Sequence, residues 1–181
     1  TQTAALAGGG NGGTTATEQY DGSSWTSKNS MNTGKNYVAG FGTISAALAF
    51  GGEPPTTATE EYDGTNWATV NAMSVSRGQA AGAGTQTAGL AISGETTGPT
   101  LSTAAEEYDG TNWSTGGTLS TGRRLISGLG TQTAALAIGG QTPPVVALNE
   151  EYDGSWRRRN SNCRISFWWR NTNTSKRNRT I

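Results

Sequence analysis

Paired carboxylates are the residues of this sequence best suited by type and spacing to do chemistry: Glu60-Glu61, Glu106-Glu107 and Glu150-Glu151, with Glu18-Gln19 as an incomplete fourth. Two carboxylates at a defined separation are what a glycosidase uses, one as acid and one as base or nucleophile. A catalytic pair occurs once per site, whereas these recur along the chain, which points to architecture. A second oxygen-rich set, Asp63, Thr65 and Asn66 with its equivalents, has the donor types of a Ca²⁺ site. The competing reading is an Asx-type turn that caps the bend after each tyrosine. A third set is cationic: Lys35, Arg77, Arg123 and its neighbour Arg124 are nearly the only positive charges in an acidic stretch. They either contact an acidic ligand or pair with a glutamate of the same or the next unit.

Absences narrow the chemistry further. The chain contains no histidine, which excludes Ser/His/Asp and Cys/His nucleophilic arrangements and histidine-bearing zinc or copper sites. Its one cysteine, Cys163, has no partner in the sequence, so the redox compartment is not specified. The glycine-rich GGGNGG at 8–13 lacks the Lys-Ser/Thr ending of a phosphate-binding loop. No catalytic residue, cofactor or metal is expected.

The elements that must position these residues are repeats. Aligned on tyrosine, EQYDG at 18–22 and EEYDG at 60–64, 106–110 and 150–154 place Tyr20, Tyr62, Tyr108 and Tyr152 at steps of 42, 46 and 44, and Trp25, Trp67, Trp113 and Trp156 follow. Upstream of each tyrosine lies an Ala/Leu run ending in glycine, with Gly51-Gly52 and Gly139-Gly140 as full pairs and Ser93-Gly94 as a weakened one. Tryptophan to the basic residue is always ten residues, and from Lys35, Arg77 and Arg123 to Gly52, Gly94 and Gly140 is always seventeen. Only glycine to tyrosine varies: eleven from Gly9, ten from Gly52, fourteen from Gly94 and twelve from Gly140. Insertions are thus confined to one connection, at 53–59, 95–104 and 141–149, which predicts surface loops at one end of a stack and candidate contact surfaces.

Composition agrees with order by repetition. Leu, Ile, Val and Phe fill only 23 of 181 positions, a level that would suggest disorder if net charge were high. Net charge is zero, but residues 1–156 carry −8 and the remainder +8. An acidic array lacks the basic face that phosphate binding needs, so no nucleic acid is expected for it. No run reaches eighteen consecutive apolar residues and no basic leader precedes one, so neither a membrane span nor a signal peptide is expected. The opening TQTAALAGGG falls in mid-repeat, which predicts a fragment or an open array.

The combination of a basic residue opening one strand, a small-residue strand, an apolar strand ending in Gly-Gly, and Tyr and Trp in successive strands resembles the kelch repeat over residues 1 to 156. The resemblance implies an all-β fold, a β-propeller of four-stranded antiparallel blades around a channel. Its repeats would lie near 1–34, 35–76, 77–122 and 123–156. Inner strands are expected near 36–43, 78–84 and 122–130, second strands near 45–51, 87–93 and 133–139, third strands near 57–63, 103–109 and 146–152, and outer strands from each Trp. Four repeats imply a small closed ring, an open arc, or half a ring completed by a second copy. The first repeat lacks an inner strand, which would come from the C-terminal tail or another chain. The Thr/Asn/Gly-rich repeats are similar to kelch-like repeats of bacteriophage tail-fibre and other structural proteins. That implies a non-enzymatic module on a virion or cell surface that binds a protein or glycan, with a carbohydrate hydrolase on a propeller as the alternative.

Residues 157–181 break every rule of the array. Tyr-to-Trp spacing is five in three repeats and four in the last, and the composition then turns basic, giving RRRNSNCRISFWWRNTNTSKRNR. Under the standard code, Phe167-Trp168-Trp169-Arg170 read one base forward gives Phe or Ser followed by Gly-Gly, and Asn171 to Thr174 can give Thr-Gln-Thr, the tripeptide at 1–3, 85–87 and 131–133. The segment therefore reads as a repeat in a shifted frame, with a basic nucleic-acid or membrane-surface tail and a Trp168/Trp169 sugar platform as the alternatives.

Overall fold

A computed structural model describes residues 3–98, 100–142 and 148–159. The tail from residue 160, with the frame-shift and sugar-platform readings attached to it, and most of the 141–149 connection lie outside the described residues.

The fold is all-β, without a helix among the described residues, and the strands form successive antiparallel sheets. The first sheet holds three strands, β1 (Ala5–Gly8), β2 (Thr17–Tyr20) and β3 (Trp25–Lys28), in that order. The second follows as β4 (Ala39–Thr43), β5 (Ala46–Phe50), β6 (Thr59–Tyr62) and β7 (Trp67–Val70). The third begins with β8 (Ala81–Thr85) and β9 (Ala88–Ile92). It is interrupted by a hairpin of β10 (Glu95–Thr96) and β11 (Thr100–Leu101), then completed by β12 (Ala104–Tyr108) and β13 (Trp113–Thr118). The fourth is β14 (Ser127–Thr131), β15 (Ala134–Ile138), β16 (Asn149–Tyr152) and β17 (Trp156–Arg159). Every outer strand starts on its tryptophan, and Tyr pairs with Trp across the turn in all four sheets, Tyr152 with Trp156 included. The fourth sheet keeps this register by shortening the turn: Asp153 N–H reaches Ser155 O, where Asp63 N–H reaches Asn66 O. Its outer strand continues to Arg159, three residues past the point where sequence similarity stops.

The pairing corrects one equivalence. Gly9 N–H bonds Ala16 O as Gly51 N–H bonds Ala58 O, and Gly10 N–H bonds Lys35 O as Gly52 N–H bonds Arg77 O. Gly10, not Gly9, is thus the counterpart of Gly52. The first two glycine-to-tyrosine connections then have equal length, and the insertions belong to the third and fourth sheets.

Low aliphatic content follows from how the sheets meet. β4, β8 and β14 pack side by side, and glycine permits it: a Cβ on Gly82 would lie 2.9 Å from Gly40 O, and one on Gly128 3.0 Å from Gly82 O. β5 and β9 are buried along nearly their whole length, so Ala, Leu, Phe and Ile run consecutively rather than alternating with polar residues. Three apolar clusters fill the gaps between sheets, around Met31 and Trp67, around Phe50, Met73 and Trp113, and around Ile92, Leu119 and Tyr152.

Polar groups register one sheet on the next. Trp67 Nε1 donates to Thr17 Oγ1 at 2.9 Å and Trp113 Nε1 to Thr59 Oγ1 at 3.2 Å. Tyr108 OH donates to Glu61 at 2.8 Å, and Tyr152 OH donates to Glu107. Gln86 and Gln132 from the Thr-Gln-Thr turns each reach two carbonyls of the preceding sheet, Ala47 and Tyr62, and Gly89 and Tyr108. Where a repeat departs from consensus, a partner is lost. Gln19 stands where Glu61 and Glu107 stand, and among the described residues the buried Tyr62 OH has no hydrogen bond. Ala105 stands where Thr17 and Thr59 stand, and the buried Trp156 Nε1 has none either.

Candidate functional site

The strand ends that follow each basic residue gather at one end of the stack with the variable connections. Asn36 bridges Glu53, Gly78 bridges Glu95 and Arg124 bridges Gln141, so each inner strand opens against the loop that leaves its own sheet. One residue further on, Tyr37, Gln79 and Leu125 occupy the left-handed region with φ of 47°, 54° and 51°. That region costs a side-chain-bearing residue about 1–2 kcal/mol, and the same cost recurs at one position of three sheets. The backbone holds it in place: Gln79 N–H bonds Tyr37 O, and Leu125 N–H bonds Gln79 O. The three residues therefore form a continuous row across the second, third and fourth sheets. Tyr37 and Leu125 are 61% and 54% exposed.

A polar ladder runs beside this row. Gln79 Nε2 donates to Glu53 Oε1 at 3.2 Å and to Glu95 Oε2 at 3.4 Å. Arg124 pairs with Glu95 through Nη1 and donates from Nε to Gln141 Oε1 at 3.0 Å. With the aromatic ring of Tyr37 and the side chain of Leu125, the end presents apolar, amide, cationic and anionic groups within one surface. Such a mix suits adaptable hydrogen bonding to a protein or sugar.

Of the two roles open to the cations, the structure places Lys35, Arg77 and Arg123 in ion pairs within their own sheets. Lys35 Nζ lies 3.5 Å from Glu60, Arg77 Nη2 2.7 Å from Glu106 and Arg123 Nη2 2.8 Å from Glu150. Their side chains are 2%, 0% and 0% exposed, which leaves no surface for a ligand. Burial pulls all three below their ordinary pKa and the facing glutamate opposes it. Each arginine also donates from Nη1 to two carbonyls, Ser93 and Ala104 for Arg77, Gly139 and Leu148 for Arg123. Of the four cations, Arg124, 35% exposed, is the one on the open face.

The paired carboxylates divide their work. The first of each pair takes the cation and the backbone N–H groups of the incoming segment, Asn32 and Thr33 for Glu60, Ser74 and Val75 for Glu106, and Ser120 for Glu150. Glu61 and Glu107 take the next sheet's tyrosine, whose hydroxyl is pushed up by burial first and by that carboxylate second. Asp63 Oδ1 accepts Thr65 and Asn66 N–H at 2.7 Å, and these bonds hold the carboxyl below its ordinary range. One carboxylate oxygen of the set is thus engaged in the turn. Among the described residues no three His, Cys, Asp or Glu side chains converge to hold a metal.

Tyr37 and Leu125 carry no repeat signature because the three left-handed positions hold three different residues. The available signal was variation at a fixed place, two residues after each basic residue, within an interval whose length never changes. Compared with protein-family models and with curated proteins, the chain matches none.

Proposed function

We propose that the chain is a non-enzymatic binding or scaffolding module, a run of kelch-type β-propeller blades whose ligand-contacting surface is the end carrying Tyr37, Gln79 and Leu125. One observation carries the reading. Three non-glycine residues stand in strained backbone at the same position of successive sheets, beside the connections that vary most in length. Strain kept in register where loops diversify belongs to recognition rather than to folding. The succession of sheets joined by inner strand against inner strand supports the propeller. The ligand is a protein or glycan, and the setting a virion or cell surface, on the strength of the repeat's resemblance to structural proteins of phages.

A glycan array probed with the whole chain, with mass spectrometry of the eluted sugars, tests the reading. Binding without cleavage, reduced at least about tenfold by the double variant Tyr37→Ala, Leu125→Ala at unchanged melting temperature, is expected, since exposed aromatic anchors contribute most of such an interface. Product release would establish the hydrolase instead, and binding unaffected by the double variant would move the surface elsewhere.

A further inference from the structure

The polar ladder at the variable end has a donor and acceptor pattern of its own. Five planar side chains, Glu53, Gln79, Glu95, Arg124 and Gln141, follow one another across the second, third and fourth sheets, each hydrogen-bonded to the next. All five are half-buried. A Cβ on Gly78 would lie 2.4 Å from Glu53 Oε1, so that carboxylate rests directly on the backbone. Side chains fixed in this way lose little freedom when a ligand arrives. Their remaining edges have a definite sense. Gln79 uses Nε2 on the two glutamates, which leaves Gln79 Oε1, Glu53 Oε2 and Glu95 Oε1 as acceptors with no hydrogen bond among the described residues. Arg124 uses Nε on Gln141 and Nη1 on Glu95, which leaves its Nη2 and Gln141 Nε2 as donors. Acceptors give way to donors where Glu95 touches Arg124. Tyr37 and Leu125, both exposed, join Gln79 through the backbone on either side.

We infer that the ladder takes a neutral glycan, an uncharged sugar whose neighbouring hydroxyls span Glu95 and Arg124 while its apolar ring face packs on Tyr37. The inference names the ligand class of the surface proposed above and rests on that reading. A hydroxyl both donates and accepts, so one vicinal pair can give a proton to Glu95 Oε1 and accept one from Arg124 Nη2. Hydrogen bonds to charged groups are the stronger kind. The same ladder selects against charged ligands. A basic segment would meet Arg124 between the two ends of the row and leave the free donors without partners. An acidic sugar would meet Glu53, which has no cation beside it among the described residues, within a stretch from residue 1 to 156 that carries −8. Tyr37 offers a rigid amphipathic surface at low entropic cost. Sugar C–H groups, which carry partial positive charge, match the negative face of its ring.

The test sets neutral oligosaccharides of hexose and N-acetylhexosamine against the same scaffolds capped with sialic acid or carrying sulfate, on one array probed with the whole chain. Binding to the uncharged members alone is expected, and it should change little between about 50 and 500 mM salt. Gln79→Gly removes the amide between the two glutamates and suits the left-handed backbone there, φ 54°, so the fold is kept. It should weaken binding at least about tenfold without lowering the melting temperature. Arg124→Lys, which keeps the charge and loses the planar fork, should weaken it as well. Binding confined to sialylated or sulfated members, a steep fall with salt, undiminished binding by Gln79→Gly, or no glycan bound at all would each overturn the inference. The double variant Tyr37→Ala, Leu125→Ala reads the surface and Gln79→Gly reads the ladder, so loss with the first and none with the second sinks this inference alone.

Discussion

Trp25 and Trp113 hold the same repeat position in different surroundings, so replacing each by alanine separates repeat chemistry from sheet-on-sheet packing. Trp113 lies over Tyr108 at 4.9 Å, meets Phe50 at 5.6 Å and Phe41 at 6.4 Å, and donates to a Thr59 that is 0% exposed. Deleting it removes much of the area of a large aromatic, three ring contacts and one part-buried hydrogen bond, a loss of about 3 kcal/mol. Trp25 touches one ring among the described residues, Tyr20 at 5.3 Å, and is 51% exposed. Its half-buried surface contributes about 1 kcal/mol. Urea unfolding followed by circular dichroism should move the midpoint for Trp113→Ala several times further than for Trp25→Ala at a similar slope. Equal shifts would mean that the contacts between sheets contribute little and that each sheet is stabilised on its own.

Three further predictions rest on positions where one repeat differs from its neighbours. Lys35→Arg should raise stability by about 1–2 kcal/mol in a thermal melt, because a guanidinium there can also reach the two carbonyls that Arg77 and Arg123 reach in their sheets; a lowered melting temperature would refute the equivalence. Ala105→Thr should add about 1 kcal/mol by giving Trp156 Nε1 the acceptor that Thr17 and Thr59 give Trp67 and Trp113, with denaturant unfolding as the measure. Asp21 is held at about 2, well below its ordinary 3.8, first by Ser24 N–H and then by the Ser23 hydroxyl and N–H. Its native form binds fewer protons than the unfolded chain in that interval, so its contribution is present above pH 3.8 and lost as the pH falls through about 2. Asp21→Ala should therefore lower protection of the 20–25 turn in hydrogen exchange at neutral pH and match the parent in strong acid.

Much of the array was legible because its rules are local. Tyr, Asp-Gly and Trp fix a turn within six residues, and the strands begin and end within a few positions of where small residues, glycines and tryptophans place them. Contacts between sheets were not legible, because they join residues 24 to 47 positions apart whose partners differ in type: Tyr108 with Glu61, Gln86 with Ala47 and Tyr62. The candidate site was half legible. Confining length variation to one connection pointed to the end of the stack where the candidate surface lies, and Arg124 was named on it. The left-handed row escaped because Tyr, Gln and Leu share no property that announces φ above zero, and tertiary hydrogen bonds rather than intrinsic preference hold them there.

The burial of Arg77 and Arg123 gives a reason why that end can vary while the sheets do not. Desolvating a guanidinium is costly, and an ion pair alone does not reliably repay it. These two are satisfied further by carbonyls at particular places: Ser93 follows the end of β9 and Ala104 opens β12, on either side of the third sheet's loop, and Gly139 and Leu148 flank the fourth sheet's loop. One planar donor thus ties the two strands together at the mouth of the connection, and the glutamate of the third strand holds the donor. A clamp at the mouth makes the sheet indifferent to what lies beyond it, so the loop can take a β-hairpin in one repeat and a different length in the next without altering the register of the strands that carry it. Cations that look from the sequence like ligand contacts are buried one layer beneath the proposed contact surface, and the freedom of that end to change depends on their staying buried.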